Sequence, residues 1–103
     1  MPAPRKPGAM VLGLGFSGVG ALHSLSELSP RPAPIVGCDH NPKEIGFASR
    51  VGPMLVAPPP WAEGGGPLCE FLCSAADRYG ARFALFPCGD DYVRFLSLHR
   101  PPA

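Results

Sequence analysis

The chain has 103 residues, enough for one small domain but not for two. Its formal net charge is +1 and its nine basic residues are scattered, which excludes the concentrated basic stripe of a nucleic-acid-binding protein. No apolar run approaches the roughly 20 residues that span a bilayer, and no signal-peptide core precedes Gly8, so we expect a cytoplasmic protein without a membrane partner.

The first predicted elements are a strand and a helix joined by a glycine-rich turn. The strand covers about residues 9–14 and the helix about residues 17–28, with Ser17 as its N-cap. Three glycines follow GxGxxG spacing around the turn: Gly13, Gly15 and Gly18. This order is typical of the first unit of a nucleotide-binding α/β sheet, where the helix N-terminus offers N–H groups to an anion.

The rest of the chain continues to alternate strands and helices. The predicted elements are, in order, a strand over Ile35–Asp39, a short helix within 41–49, a strand over 53–57, a helix from Pro67 to about Tyr79 that ends at Gly80, a strand over 82–86, and a helix from Asp90 or Asp91 to about His99. The second long helix has the clearest pattern, because five apolar side chains fall on one face: Leu68, Phe71, Leu72, Ala75 and Tyr79.

This alternation predicts an α/β fold, a Rossmann-like three-layer sandwich over residues 9–100. Its sheet has four parallel strands in the order 3-2-1-4. We expect a disordered proline-rich segment at 1–8 and a short tail at 101–103. The fourth strand is left as an uncovered edge, which parallel sheets rarely tolerate. We therefore expect that this chain is the first part of a larger protein or has lost the rest of it. One further alternative is a structural remnant whose fourth strand is covered by a partner chain, such as a second copy.

The carboxyl ends of the strands gather the informative polar residues, in the loops 13–17, 39–41 and 87–91. Ligands bind to such sheets outside these ends, where the strand order reverses between the first and fourth strands. Asp39 lies 21 residues after Gly18, close to the spacing of a ribose-binding acid in a dinucleotide fold. A free-standing NAD(P)-binding module is therefore one alternative. Another interpretation gives Asp39 a structural role, capping the loop that follows it.

Several of the other candidates also have a structural interpretation. The glycines are equally explained by close packing of the first helix on its strand. Asp90 is explained as a helix cap, with Asp91 favoured by the helix dipole. Arg50 is a reasonable anion contact, although a lone arginine after a loop is usually solvated. The four cysteines form no CxxC pair and keep no zinc-like spacing to the histidines, so we expect free thiols and no metal site.

Three segments together resemble a known family: VLGLGFSGVGALHSL, VGCDHNPKEIGFASR and FALFPCGDDYVRFLSLHR. They are similar to the N-terminal, pre-ATP-grasp domain of ATP-grasp carboxylate–amine ligases, in the branch of D-aspartate ligase and carbamoyl-phosphate-synthase-like proteins. The likeness covers about residues 9–100. The matching positions are the three glycines of the turn, the acid after the second strand, an aromatic-x-Ser-Arg segment, and a Pro-x-x-Asp segment before the last helix: Gly13, Gly15, Gly18, Asp39, Phe47, Ser49, Arg50, Pro87, Asp90 and Asp91.

The resemblance implies a share in an ATP-dependent ligation. Complete enzymes of this family activate a carboxylate as an acylphosphate, which an amine then attacks, and their ATP and Mg²⁺ are held by a C-terminal ATP-grasp domain. This chain would contribute the substrate side, would need that missing domain and a small carboxylate as partners, and would have neither a cofactor nor catalysis of its own. The substrate- or anion-binding residues implied are Gly13, Gly15, Phe16, Ser17, Gly18, Asp39, Arg50 and Asp90.

Overall fold

Four strands and three α-helices alternate along the chain in a computed structural model that describes residues 5–99. The elements are β1 (Lys6–Leu12), α1 (Phe16–Ser26), β2 (Ile35–Asp39), a 3-10 helix (Ile45–Ala48), β3 (Met54–Val56), a second 3-10 helix (Ala62–Gly65), α2 (Gly66–Tyr79), β4 (Ala81–Pro87) and α3 (Asp90–Leu98). The expectations for residues 1–4 and 100–103 lie outside the described residues.

The strands form one parallel sheet in the order β3-β2-β1-β4, which confirms the predicted topology. β1 pairs with β2 from Ala9 opposite Ile35, and with β4 from Lys6 opposite Ala81. β2 and most of β1 are buried on both faces, as their continuous apolar sequences require. Because the order reverses between β1 and β4, the carboxyl ends of these two strands open a crevice.

Helices cover both faces of the sheet and give the predicted three-layer arrangement. α2 and α3 pack on one face, where Met10 and Leu12 of β1 meet Leu68 of α2 and Phe95 of α3. α1 packs on the other face through Leu22 and other apolar residues. They contact the side chains of β1 and β2 that alternate with those of the first face. Side chains alternate between the faces along a strand, so each strand contributes to both cores.

The first strand begins earlier than the sequence predicted. β1 starts at Lys6 and not at residue 9, so residues 6–8, which were expected in a disordered segment, belong to the sheet. Pro7 does not interrupt the strand, because its backbone faces the segment before β2, where its carbonyl accepts the Ala33 N–H at 3.3 Å. The strand also ends earlier, at Leu12, because Gly13 turns away with a φ of 103°.

The N-caps predicted for the first and last helices are wrong. α1 begins at Phe16 after Gly15, and α3 begins at Asp90 after Gly89, with no side-chain cap hydrogen bond at either end. Ser17 and Asp90 therefore lie inside the first turns, where the charge of Asp90 still interacts favourably with the helix dipole.

The end of α2 confirms the sequence prediction. Gly80 follows the helix in the left-handed conformation, with φ 59° and ψ 38°, which glycine adopts without steric cost. α2 has 14 residues, and no helix within residues 5–99 is long and apolar enough to cross a membrane.

Two glycines of α1 provide a matched test of the packing of this helix. A Cβ on Gly18 would overlap the carbonyl oxygen of Gly13, whereas a Cβ on Gly20 would meet no atom within 4 Å. We expect Gly18→Ala to lower the free energy of unfolding by about 1–3 kcal/mol, because the turn must move. Gly20→Ala should raise it by about 0.5–1 kcal/mol, because alanine favours the helix. Urea unfolding followed by circular dichroism measures both, and equal effects of the two substitutions would contradict the packing role of Gly18.

Candidate functional site

The glycine turn after β1 is held tightly between the ends of its two neighbouring strands. The Gly13 N–H donates to the Cys38 carbonyl at 2.8 Å, and the Cys88 N–H donates to the Leu12 carbonyl at 2.7 Å. A Cβ on Gly13 would lie 2.8 Å from the Cys88 carbonyl oxygen, so the loop after β4 leaves no room for a side chain. Gly13 is therefore required by its positive φ and by this close approach.

The second glycine of the turn faces a carboxylate of the chain itself. A Cβ on Gly15 would lie 3.1 Å from Oε2 of Glu44. The other oxygen of Glu44, Oε1, accepts a hydrogen bond from Asn41 Nδ2 at 3.3 Å. In dinucleotide-binding turns the second glycine leaves space for the pyrophosphate to approach the backbone. Here the Glu44 side chain lies in that space, and its negative charge opposes an incoming phosphate.

Asp39 joins the turn after β1 to the loop after β2. Its side chain is buried, with 5% of the residue exposed. Oδ2 accepts the Leu14 N–H at 2.7 Å, and Oδ1 accepts the Asn41 N–H at 3.0 Å. A buried carboxylate is stable only when it is hydrogen-bonded, and these two backbone donors meet that need. Asp39 thus has the loop-capping role that the sequence offered as the alternative to a ribose contact.

His40 and Tyr92, neither of them among the predicted site residues, extend this network. The Tyr92 hydroxyl accepts the His40 backbone N–H at 3.1 Å and lies 3.5 Å from Oδ1 of Asp39, to which it donates. The His40 Nδ1 is 3.2 Å from the same carboxylate oxygen. On its other side the imidazole meets the edge of Trp61, with ring centroids 4.8 Å apart. Burial, helped by the charge of Asp39, raises the pKa of Tyr92 above its ordinary value of 10.0.

These loops surround an open depression of about 220 Å³, which we call the switch crevice; among its lining residues are Gly13, Gly15, Asp39, His40, Glu44, Asp90 and Asp91. It is smaller than the roughly 300 to 1,000 Å³ of typical ligand pockets, so it does not enclose a ligand by itself. Four of the lining side chains are carboxylic acids, and within residues 5–99 no lysine or arginine lines it. The carboxylates offset the positive end of α1, which makes the crevice a poor phosphate site.

The structure brings together only some of the predicted site residues. Gly13, Gly15, Asp39 and Asp90 line the switch crevice, and Gly18 packs directly behind the turn. Three others do not line it: Phe16, Ser17 and Arg50. Phe16 is 85% exposed on the first turn of α1, and Ser17 and Arg50 are exposed as well.

Glu44, which was not among the predicted site residues, has a recognisable spacing to Asn41 in the sequence. Asn41 and Glu44 have the spacing of a capping box, in which the second side chain turns back towards the first residue. The structure departs from that pattern: Glu44 accepts from the Asn41 side chain, the Asn41 backbone N–H donates to Asp39, and the helix that follows is only a short 3-10 turn. Tyr92 lies in the first turn of α3, and no local sequence pattern indicates that its hydroxyl reaches the His40 backbone.

The cysteines and the acidic residues do not combine into a metal site within the described structure. All four cysteines are free, and Cys38 is buried in β2, where burial raises its pKa to about 12. Among residues 5–99, no group of three or more histidine, cysteine, aspartate and glutamate side chains is arranged to hold a metal ion.

Comparison of the chain with protein-family models, with curated proteins and with solved structures finds no match. The resemblance to the pre-ATP-grasp domain therefore stays a prediction from the sequence.

The role of Asp39 is tested by its amide isostere. In Asp39→Asn one of the two acceptor oxygens becomes an NH₂ group that faces a backbone N–H, so we expect the free energy of unfolding to fall by about 1–3 kcal/mol. The control Asp90→Asn removes a charge from an exposed first-turn residue and should cost less than about 1 kcal/mol. Urea unfolding measures both, and an Asp39→Asn chain as stable as the wild type would rule out the capping role.

The buried thiol of Cys38 and the buried phenol of Tyr92 should make the folded chain less stable at alkaline pH. The pKa of Cys38 is raised from 9.0 and that of Tyr92 from 10.0, so the folded chain keeps protons that the unfolded chain releases. The stabilisation that these two groups contribute is therefore fully present below pH 9 and is lost as the pH rises, first through Cys38 and then through Tyr92. Cys38→Ala should flatten the decline from about pH 9, and Tyr92→Phe only from about pH 10, in unfolding midpoints measured across that range. Identical pH profiles for wild type and Tyr92→Phe would contradict this coupling.

Proposed function

We propose that this chain is the substrate-side N-terminal domain of an ATP-dependent carboxylate–amine ligase of the ATP-grasp type, and that it holds no nucleotide itself. The observation that carries the second part is the engagement of Asp39 with the Leu14 and Asn41 N–H groups. The assignment to a ligase depends on the sequence resemblance and on the strand order. This order brings the glycine turn and the Pro-x-x-Asp segment to the same crevice.

The state of Asp39 and Glu44 argues against a dinucleotide at this turn. A ribose-binding acid presents free carboxylate oxygens to the ligand, whereas both oxygens of Asp39 accept backbone N–H groups from within the chain. The pyrophosphate position near Gly15 is next to Oε2 of Glu44. A GxGxxG turn with these two features serves the packing of α1 on β1 and leaves nucleotide binding to another domain.

The shape of the switch crevice supports a shared site. It is open and lies at the topological switch point, where α/β sheets bind their ligands. A second domain closing over this edge would complete the enclosure that a small carboxylate substrate needs. In the proposed ligase that second domain is the ATP-grasp domain, which brings ATP and Mg²⁺, and the complete enzyme works in the cytoplasm.

A free-standing NAD(P)-binding module is the second candidate, favoured by the strand–turn–helix unit and by the position of Asp39 directly after β2. The two candidates differ in what the isolated chain binds. The ligase domain leaves nucleotides to its partner domain, whereas the module binds NAD(P) on its own and loses affinity when Asp39 is changed to alanine.

A calorimetric titration distinguishes the two candidates. We expect no saturable heat when NAD⁺, NADP⁺ or MgATP is added to the 103-residue chain up to millimolar concentration. The Glu44→Gln variant, which removes the charge beside Gly15, should behave in the same way, because Asp39 remains engaged. Saturable binding of NAD⁺ or NADP⁺ that is lost in Asp39→Ala would replace the ligase proposal with the dinucleotide module.

The ligase proposal itself is tested by the coding DNA downstream of Ala103. An ATP-grasp domain in frame within a few dozen codons, whose complete product forms ADP only when a carboxylate and an amine are both present, would support it. Absence of any ATP-grasp coding sequence there, in every reading frame, would overturn it.

A further inference from the structure

β4 is an edge strand over its whole length. It pairs with β1 from Ala81 to Pro87, and within the described residues no strand lies on its other side. An unpaired edge presents a row of N–H and C=O groups that can pair with another chain. Which of its residues present these groups follows from the hydrogen bonds at the two ends of the strand.

The odd-numbered residues of β4 direct their backbone groups outward. The Lys6 N–H donates to the Gly80 carbonyl at 3.1 Å, and the Cys88 N–H donates to the Leu12 carbonyl at 2.7 Å, so even-numbered positions face β1. Backbone direction alternates along a strand. Phe83 and Leu85 therefore each present an N–H and a C=O group on the open side.

The side chains beside this edge are largely apolar and incompletely covered. Arg82, Ala84 and Phe86 lie on the face of the sheet that carries α1. This helix covers β1 and β2 but not β4. All three side chains are therefore exposed, Phe86 to 38%. An apolar groove of about 330 Å³ separates Ala84 and Phe86 from Leu28 at the end of α1. On the opposite face, Phe83 and Leu85 are half-buried against α2 and α3.

We propose that β4 pairs antiparallel with β4 of a second copy of this chain about a twofold axis at Ala84, so that two sheets join into one of eight strands. In this register Phe83 lies opposite the partner's Leu85, and both residues present outward N–H and C=O groups, as a hydrogen-bonded pair requires. Ala84 lies opposite the partner's Ala84 in a non-hydrogen-bonded pair, where strands come closest and a small side chain fits.

The side chains of β4 are complementary in this register. Arg82 lies opposite the partner's Phe86, which places a guanidinium beside an exposed aromatic ring, and twofold symmetry repeats the contact. Centring the pairing on Leu85 instead would place Phe83 opposite the partner's Pro87, which has no N–H to donate. The complementarity of Arg-Phe-Ala-Leu-Phe with its own reverse, pair by pair, is what points to a second copy and not to an unrelated strand. The inference does not depend on the proposed function.

Opposite charges at the twofold axis provide the test. Sedimentation equilibrium of the wild-type chain should give twice the monomer mass of 10.8 kDa as its concentration rises. Ala84→Glu should be monomeric, because two carboxylates meet at the axis, and Ala84→Lys should be monomeric for the same reason. An equimolar mixture of the two variants should recover a dimer. Ser74→Glu, which adds the same charge at an exposed position of α2, should leave the wild-type association unchanged.

A cysteine at the same position tests the register without adding charge. Residues in a non-hydrogen-bonded antiparallel pair lie within disulfide range, so A84C should form a covalent dimer under mild oxidation. The wild-type chain, with its exposed Cys73, is the control for random cross-linking. A wild type that stays monomeric, a dimer that survives folded Ala84→Glu, or an A84C chain that cross-links no faster than the wild type would each overturn the proposal. None of these outcomes bears on nucleotide binding or on the coding DNA.

Discussion

The hydrogen bonds of the Asp39 carboxylate determine the shape of the edge on which all the loops meet. One oxygen accepts from the turn after β1 and the other from the loop after β2, and the same group receives the Tyr92 hydroxyl from α3. Three separate segments therefore share one buried charge. Because a buried carboxylate is costly when its hydrogen bonds are lost, a displacement of any one of these segments weakens the stabilisation of that charge.

The glycine turn illustrates how one sequence pattern serves two purposes. Gly13 and Gly18 are explained by close packing: one by the loop after β4 and the other by the backbone of the turn itself. Only the second glycine of such a turn faces the place where a ligand would come, and here Glu44 lies beside it. A GxGxxG pattern therefore indicates a tight strand–helix unit, and the charge of the residues around its second glycine decides whether an anion can enter.

The strand order, the two helical layers and the end of α2 at Gly80 could all be predicted from the sequence, because they follow from apolar periodicity and turn chemistry within short segments. The early start of β1 could not, since Lys6 and Pro7 become strand only through β4, which is distant in the chain. The His40–Tyr92 contact joins residues 52 positions apart. Contacts of this kind depend on how elements pack, and no local pattern records them.

The position of Trp61 has a consequence for observing this molecule in solution. It is the only tryptophan of the chain, it is exposed, and its ring rests against His40 beside the switch crevice. The intrinsic ultraviolet emission of the chain under tryptophan-selective excitation therefore arises from one ring in one loop. A domain that closes over the crevice and covers His40 would change the polarity around that indole, so the chain carries its own fluorescent reporter of such closure.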